Sequence, residues 1–350
     1  MHSQAFAETA AVVITGGDQT DRFTVDFNTP FSVPNGILFT DAFSGDSDNL
    51  RVAGKSNVWH MLGNNLGNVD GAGVLDFFGI ENLTGGAEAD IFVIEEGGGV
   101  DGVVDGGEGS DSLEGADADN TWEITAQDAG ALNEQIFENI ENMIGGDDQD
   151  TFVLSEGAGV SGALDGGGGE DTLVGPDTDA TWNIEGLNAG NVAGIDFGNI
   201  ENLTGGAGAD TFMLGDGSGV SGVIDGGGGV NTLDYSQYTT DVDADLAAGT
   251  ATGTGGVGNI QNVTGGSGAD MLAGDEADNI LAGGAGHDTL TGGSGQDSLD
   301  GGGGDDTLAE SRDADFTLAD GTLTIGSEGT DTITDIENVA LTGGMGANVM

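Results

Sequence analysis

The chain has no cysteine, three prolines and only four basic residues among 350. Without cysteine there is no disulfide framework, no zinc–thiolate centre and no thiol nucleophile, and the redox compartment stays open. Four cations cannot neutralise a run of phosphates, so nucleic acid is excluded as a partner. An anionic membrane surface would repel the chain for the same reason. No apolar run approaches the ~18 residues needed to cross a bilayer, so membrane insertion is not expected. Three Trp and two Tyr are few for a sugar-binding platform, which counts against a carbohydrate-binding face.

Acid and glycine are what the chain has in excess. Sixty-two Asp and Glu leave a formal charge of −58, and glycine fills 71 positions. That composition borders on unstructured low complexity, and at such a charge a compact state repels itself. A folded chain of this kind needs something that compensates its carboxylates.

The order in the sequence is periodic. IENLTGG (80–86), IENMIGG (140–146), IENLTGG (200–206) and IQNVTGG (260–266) recur every 60 residues. GGAEADIFV (85–93), GGDDQDTFV (145–153) and GGAGADTFM (205–213) share one phase, as do the stretches around VDGGEGSDSLEG (104–115). Apolar strand signals at Leu83, Val104, Ile124 and Met143 divide each unit into three rungs of about 20 residues. Short β-prone runs alternating with glycine turns read as strand and turn, not helix. Near-identical rungs bury an apolar face only by stacking, which predicts an all-β parallel β-solenoid with Trp59, Trp122 and Trp182 as interior fillers.

From 265 the period shortens to nine: GGSGADMLA, GDEADNILA, GGAGHDTLT, GGSGQDSLD and GGGGDDTLA fill 265–309. The expected layout is a degenerate N-terminal repeat or cap over 1–78 and three 60-residue units over 79–258. A tandem nonapeptide β-roll follows over 259–309, then a further repeat over 310–350 that reads as truncated inside GGMGANVM (343–350). The N-terminal 15 residues, interrupted by Glu8 and lacking a basic start, do not read as a cleaved secretory signal.

Each Gly-Gly-x-Gly-x-Asp-x-apolar-x unit does two jobs. Its glycines permit positive φ in the turn, and its eighth residue plugs the interior of a short strand. The sixth residue holds a carboxylate at the edge of the turn, where stacked units bring like charges together. A hard divalent cation removes that repulsion, and an all-oxygen shell of carboxylates and carbonyls suits Ca2+ better than Mg2+.

The nonapeptide resembles the signature of the hemolysin-type calcium-binding, or RTX (repeats-in-toxin), proteins. The 60-residue unit is similar to repeats of large secreted bacterial adhesins that carry the same motif. The resemblance implies a β-roll in which one turn takes two nonapeptides and Ca2+ sits between motifs 18 residues apart. Carried onto this chain, the ligand pairs are Asp270 with Asp288, Asn279 with Asp297, and Asp288 with Asp306. In the longer units they are Asp90 with Asp111, Asp150 with Asp171, and Asp210 with Asn231. Asn231 and Asn279 lack the charge, which predicts weaker sites there, and Glu88 and Asp148 stand where the fourth-position glycine belongs. Asp105, Asp165, Asp225 and Asp300, each just before Gly-Gly, read equally as further ligands or as solvated turn acids.

Nothing points to catalysis. The three histidines, His2, His60 and His287, form no His-Glu-x-x-His pattern, and no Gly-x-Ser-x-Gly elbow occurs. His287 occupies the free fifth position of a nonapeptide and is expected in a solvent-facing loop. The resemblance implies a non-enzymatic, calcium-binding structural region of a secreted or cell-surface bacterial protein of the adhesin or surface-layer type, whose surface or matrix partner the sequence leaves open. The alternative is a non-catalytic module of an RTX exoenzyme or toxin.

Overall fold

In a computed structural model, residues 12–17, 19–26, 36–41, 47–70, 74–319, 321–326 and 329–343 are described. The N-terminal stretch 1–11 and most of the final motif, 344–350, lie outside the described residues. Among the described residues there is no helix, and forty strands pair mostly in parallel, as a β-solenoid or β-roll requires. The chain divides into two compact units, 1–172 with 195–199, and 173–194 with 200–350.

In the first unit the inward residues form two parallel columns. Leu50, Leu83, Val104 and Phe137 stack in register in one sheet. Trp59, Phe92, Leu113, Met143, Leu164 and Phe197 stack in the other. The turns that separate neighbours in these columns alternate between 21 residues and 30 or 33. The even division of each unit into three 20-residue rungs is therefore corrected: one turn keeps that length, and the other absorbs the remaining residues in an antiparallel excursion.

Asn120–Ala126, Ala129–Leu132 and Gln135–Glu138 show the excursion, pairing antiparallel in sequence before the chain resumes its climb. Val58–Gly63, Leu66–Asp70 and Val74–Phe78 do the same. Ile124, read as a third rung, lies inside such an excursion and pairs with Gly130 and Leu154. A 60-residue unit thus makes five visits to the sheets: four single strands and one excursion. Because five is odd, the next copy starts on the opposite sheet. Leu83 and Met143 hold the same place in the sequence repeat yet stack in different columns.

The second unit shows the change of period directly. Phe212, Leu233 and Val263 continue the 21- and 30-residue steps, after which Val263, Leu281 and Leu299 are 18 apart. Leu272, Leu290 and Leu308 form the partner column at the same spacing. Each three-residue strand, such as Thr289–Thr291, buries its central residue and turns the flanking pair partly outward. Glycine at the second place of the turn is obligatory where the backbone is left-handed, as at Gly284 (φ 97°), Gly293 (φ 96°) and Gly302 (φ 84°).

Trp59, Trp122 and Trp182 are fully buried, as their spacing predicts. Each lies parallel to the phenylalanine stacked on it: Phe92 at 5.2 Å, Phe152 at 5.5 Å and Phe212 at 5.4 Å. The nonapeptide columns have only leucine and valine at the equivalent places.

Candidate metal centre: a ladder of buried carboxylates

All eleven sequence-predicted site residues are buried: Asp90, Asp111, Asp150, Asp171, Asp210, Asn231, Asp270, Asn279, Asp288, Asp297 and Asp306. The turn glycines pull the sixth residue inward, and the strand that follows fixes its backbone in the parallel ladder. Every predicted pair is brought together in the same way, with the backbone N–H of one residue donating to the side-chain Oδ1 of the next. The distances are 2.8 Å for Asp270 to Asp288, 2.9 Å for Asn279 to Asp297 and 2.8 Å for Asp288 to Asp306. Across the 21-residue turns they are 2.7 Å for Asp90 to Asp111, 2.8 Å for Asp150 to Asp171 and 2.9 Å for Asp210 to Asn231. The side chain therefore clips one turn to the next before any ion is considered.

The second carboxylate oxygen is what remains. Oδ2 of Asp90 and of Asp270 each accepts an N–H from the glycine four residues earlier, at 2.7 Å. Oδ2 of Asp111, Asp150, Asp210, Asp288, Asp297 and Asp306 is buried with no hydrogen-bond partner. Burying a carboxylate oxygen without a donor is costly. The cost shows in the titration: burial, reinforced by Glu141 and Asp90, pushes the Asp111 carboxyl up to about 7. Burial, then Asp331 and Glu310, does the same for Asp297, and Asp150 rises to about 6. Burial also raises Asp90, Asp210, Asp270 and Asp288.

Backbone carbonyls face the same places. A methyl group on Gly283 would meet Oδ2 of Asp288 at 2.5 Å and the Gly301 carbonyl of the next turn at 2.7 Å. Gly265, Gly145 and Gly205 are hemmed in alike, by Oδ2 of their own turn and a glycine carbonyl of the next. First-position glycine is thus required because two oxygens crowd its α-carbon. No group of three or more His, Asp or Glu side chains gathers as a metal cage among the described residues. The donors available are carboxylate and carbonyl oxygens in a mixed set, a hard, all-oxygen environment that fits Ca2+.

Against this geometry, residues 200–220, 262–281 and 273–308 match the RTX calcium-binding nonapeptide repeat, in four copies. The chain carries an RTX array. RTX nonapeptides bind Ca2+ at multiple sites, so this part of the chain is a calcium-binding repeat module. No curated protein matches the chain.

The residues before Gly-Gly behave as turn acids. Asp105, Asp165 and Asp225 each accept an N–H from the glycine two residues on and an amide from Asn139, Asn199 or Asn259. Asp300 accepts only from Gly302 among the contacts resolved for it. His287 is exposed, and its Nδ1 accepts the backbone N–H of Asp305 at 2.9 Å.

Sequence reasoning passed over several members of the ladder. Glu81, Glu141, Gln261 and Glu337 accept the N–H of Asp48, Asp111, Asn231 and Asp306, closing the ladder where the chain takes a long turn. Their signal was the recurring Ile-Glu-Asn phrase, visible as a repeat marker but not as chemistry. Asp331 accepts from Asp297 at 3.0 Å, and Glu310 accepts from Gly292 at 2.7 Å. Both are buried beside Arg312, whose Nε lies 3.4 Å from Glu310 Oε2. Asp331 holds the sixth place of GSEGTDTIT (326–334), a unit out of phase with the array, and Glu310 stands where a first-position glycine belongs.

Proposed function

We propose that RTX-array and unit residues Asp90, Asp111, Asp150, Asp171, Asp210, Asn231, Asp270, Asn279, Asp288, Asp297 and Asp306 hold Ca2+ between successive turns. On this reading the chain is a structural, non-catalytic region of a secreted or cell-surface bacterial protein, of the adhesin type. The observation that carries it is the row of buried Oδ2 atoms lacking a donor, those of Asp111, Asp150, Asp210, Asp288 and Asp306 each beside a backbone carbonyl of the next turn. A divalent cation there would neutralise paired carboxylates and supply what no protein group supplies. Binding and folding are then one process: at low Ca2+ the desolvated carboxylates oppose stacking, and at extracellular Ca2+ the turns close. Such a chain leaves a calcium-poor cytoplasm loose and stiffens outside, which supports the extracellular assignment.

The test is circular dichroism of the whole chain in chelator, then in millimolar Ca2+, then in Mg2+. A gain of β-structure specific to Ca2+ is expected; a spectrum indifferent to the chelator sinks the coupled-folding reading. Asp288→Ala should lower the Ca2+ stoichiometry, since Asp288 serves two pairs.

A further inference from the structure

The nonapeptide is not the only sequence that builds this oxygen environment. At each long turn the residue two before the glutamate of Ile-Glu-Asn is left-handed: Asn139 (φ 54°), Asn259 (φ 52°) and Asp335 (φ 47°). That conformation turns its carbonyl onto the ladder. The Asn139 carbonyl closes over Gly106, where Oδ2 of Asp111 also sits, 2.7 Å from the place of a methyl group. The Asp335 carbonyl closes over Gly301 in the same way, beside Oδ2 of Asp306 at 2.8 Å. Within the array, a glycine carbonyl and an aspartate Oδ2 meet at Gly283 in the identical relation.

The carboxylate is supplied differently as well. Glu141 Oε2 accepts the Asp111 N–H at 2.6 Å, and Glu337 Oε2 accepts the Asp306 N–H at 2.8 Å. These are the places that Oδ1 of a sixth-position aspartate takes one short turn earlier. Asp111 and Asp306 are themselves fully buried, each with Oδ2 lacking any partner. The glutamate and the aspartate are 30 or 31 residues apart, outside the 18-residue spacing of the nonapeptides, and the carbonyl comes from two residues before the glutamate.

We propose that the Asn/Asp-Ile-Glu-Asn phrase is a second kind of half-site, binding Ca2+ across the long turns between Asp111 and Glu141 and between Asp306 and Glu337. The chain contains its own negative control. At the Asn231–Gln261 step the backbone is the same, the hydrogen bond is kept at 2.8 Å, and both carboxylates are replaced by amides. With no charge on either residue, that step binds no Ca2+.

This inference rests on the calcium-binding reading, and the experiment separates the two. Equilibrium dialysis of the full, calcium-stripped chain against Ca2+, with Mg2+ held constant, gives the number of ions bound. Glu141→Gln and Glu337→Gln each keep the hydrogen-bond acceptor, as Gln261 does, so the turn should still close. Each should bind one Ca2+ fewer than the unaltered chain. Because Asn231 also belongs to the Asp210–Asn231 pair, the double change Asn231→Asp with Gln261→Glu should bind one more Ca2+ than Asn231→Asp alone, a gain that misfolding cannot imitate. If the unaltered chain binds Ca2+ and neither those losses nor that gain is seen, the long-turn site is overturned while the array's function stands. If the unaltered chain binds none, both fall together.

Discussion

The 60-residue units and the nonapeptide array run one ladder on two different cores. In the units, alternate turns of 21 and 30 or 33 residues enclose Trp–Phe stacks, and antiparallel excursions enlarge the buried interior. In the array every turn is 18 residues, and each strand buries a single Leu or Val. Apolar burial contributes roughly 25 cal/mol per Å², so the array has far less of it per turn to set against the same row of carboxylates. Dependence on the cation should therefore be graded along the chain, strongest where the turns are shortest.

Removing Ca2+ is the largest expected perturbation of that contrast. Amide exchange in chelator should expose strands Met271–Ala273, Thr289–Thr291 and Ser298–Asp300 before strands Asn120–Ala126 and Asp150–Leu154. Tryptophan fluorescence should lag behind that loss, because Trp59, Trp122 and Trp182 all lie in the aromatic region. Simultaneous loss of protection in both regions would show that the core makes no difference. Within the aromatic region, Trp122→Ala removes the largest buried side chain from its stack on Phe152 and should cost about 3–5 kcal/mol. Trp122→Phe should cost much less, since the indole N–H has no partner to lose. Urea unfolding in excess Ca2+ measures both.

Arg312 tests the edge of the array instead of its core. It is one of four basic residues in the chain, and it sits beside buried Glu310 and Asp331. Burial raises the Glu310 and Asp331 carboxyls, and the guanidinium offsets part of that rise. Arg312→Gln leaves these acids without their fixed cation and should cost about 3–5 kcal/mol. Adding Glu310→Gln should restore part of the loss; a double variant no more stable than the single one would remove Arg312 from this role. Smaller still is a pair of glycine changes. Gly302 and Gly157 share the left-handed backbone, at φ 84° and 75°, but only Gly302 would press a methyl into a neighbouring carbonyl, that of Gly284. Gly157→Ala should cost about 1 kcal/mol from backbone conformation alone. Gly302→Ala should exceed it clearly in the same unfolding assay.

The array was legible in the sequence because its spacing is its geometry. Nine residues make one strand and turn; the RTX resemblance implied that two make one circuit, and with that the pairs Asp270–Asp288 and Asn279–Asp297 follow by counting. The units were only half legible. Counting apolar residues placed Leu83 over Val104, but it also placed Ile124 as a third rung, because an antiparallel excursion uses the same β-prone residues as a climbing strand. Nor could the sequence show that five visits per unit alternate the sheet on which identical phrases land. Glu141 and Glu337 hid for a different reason: a glutamate 30 residues away does the work of an aspartate 18 or 21 away, and only the register of the sheet brings it there.

The last contrast is between the ladder's two oxygens, and pH reads it. Asp111 and Asp297, raised to about 7 by burial and then by neighbouring acids, titrate near 3.9 in an unfolded chain. Between those limits the folded state binds more protons than the unfolded state, so stability without Ca2+ must fall as pH rises. The stabilising contribution is fully present below about pH 4 and is lost as pH climbs through about 7. Calcium-stripped protein in calcium-free buffer should therefore melt at a higher temperature at pH 4.5 than at pH 7.5. General relief of the −58 charge acts in the same direction, so the variants decide the cause. Asp111→Asn and Asp297→Asn each remove one desolvated carboxylate and should flatten the slope, whereas Glu134→Gln, at an exposed position, should leave it unchanged. Equal slopes in all of them would assign the effect to net charge and not to the buried oxygens.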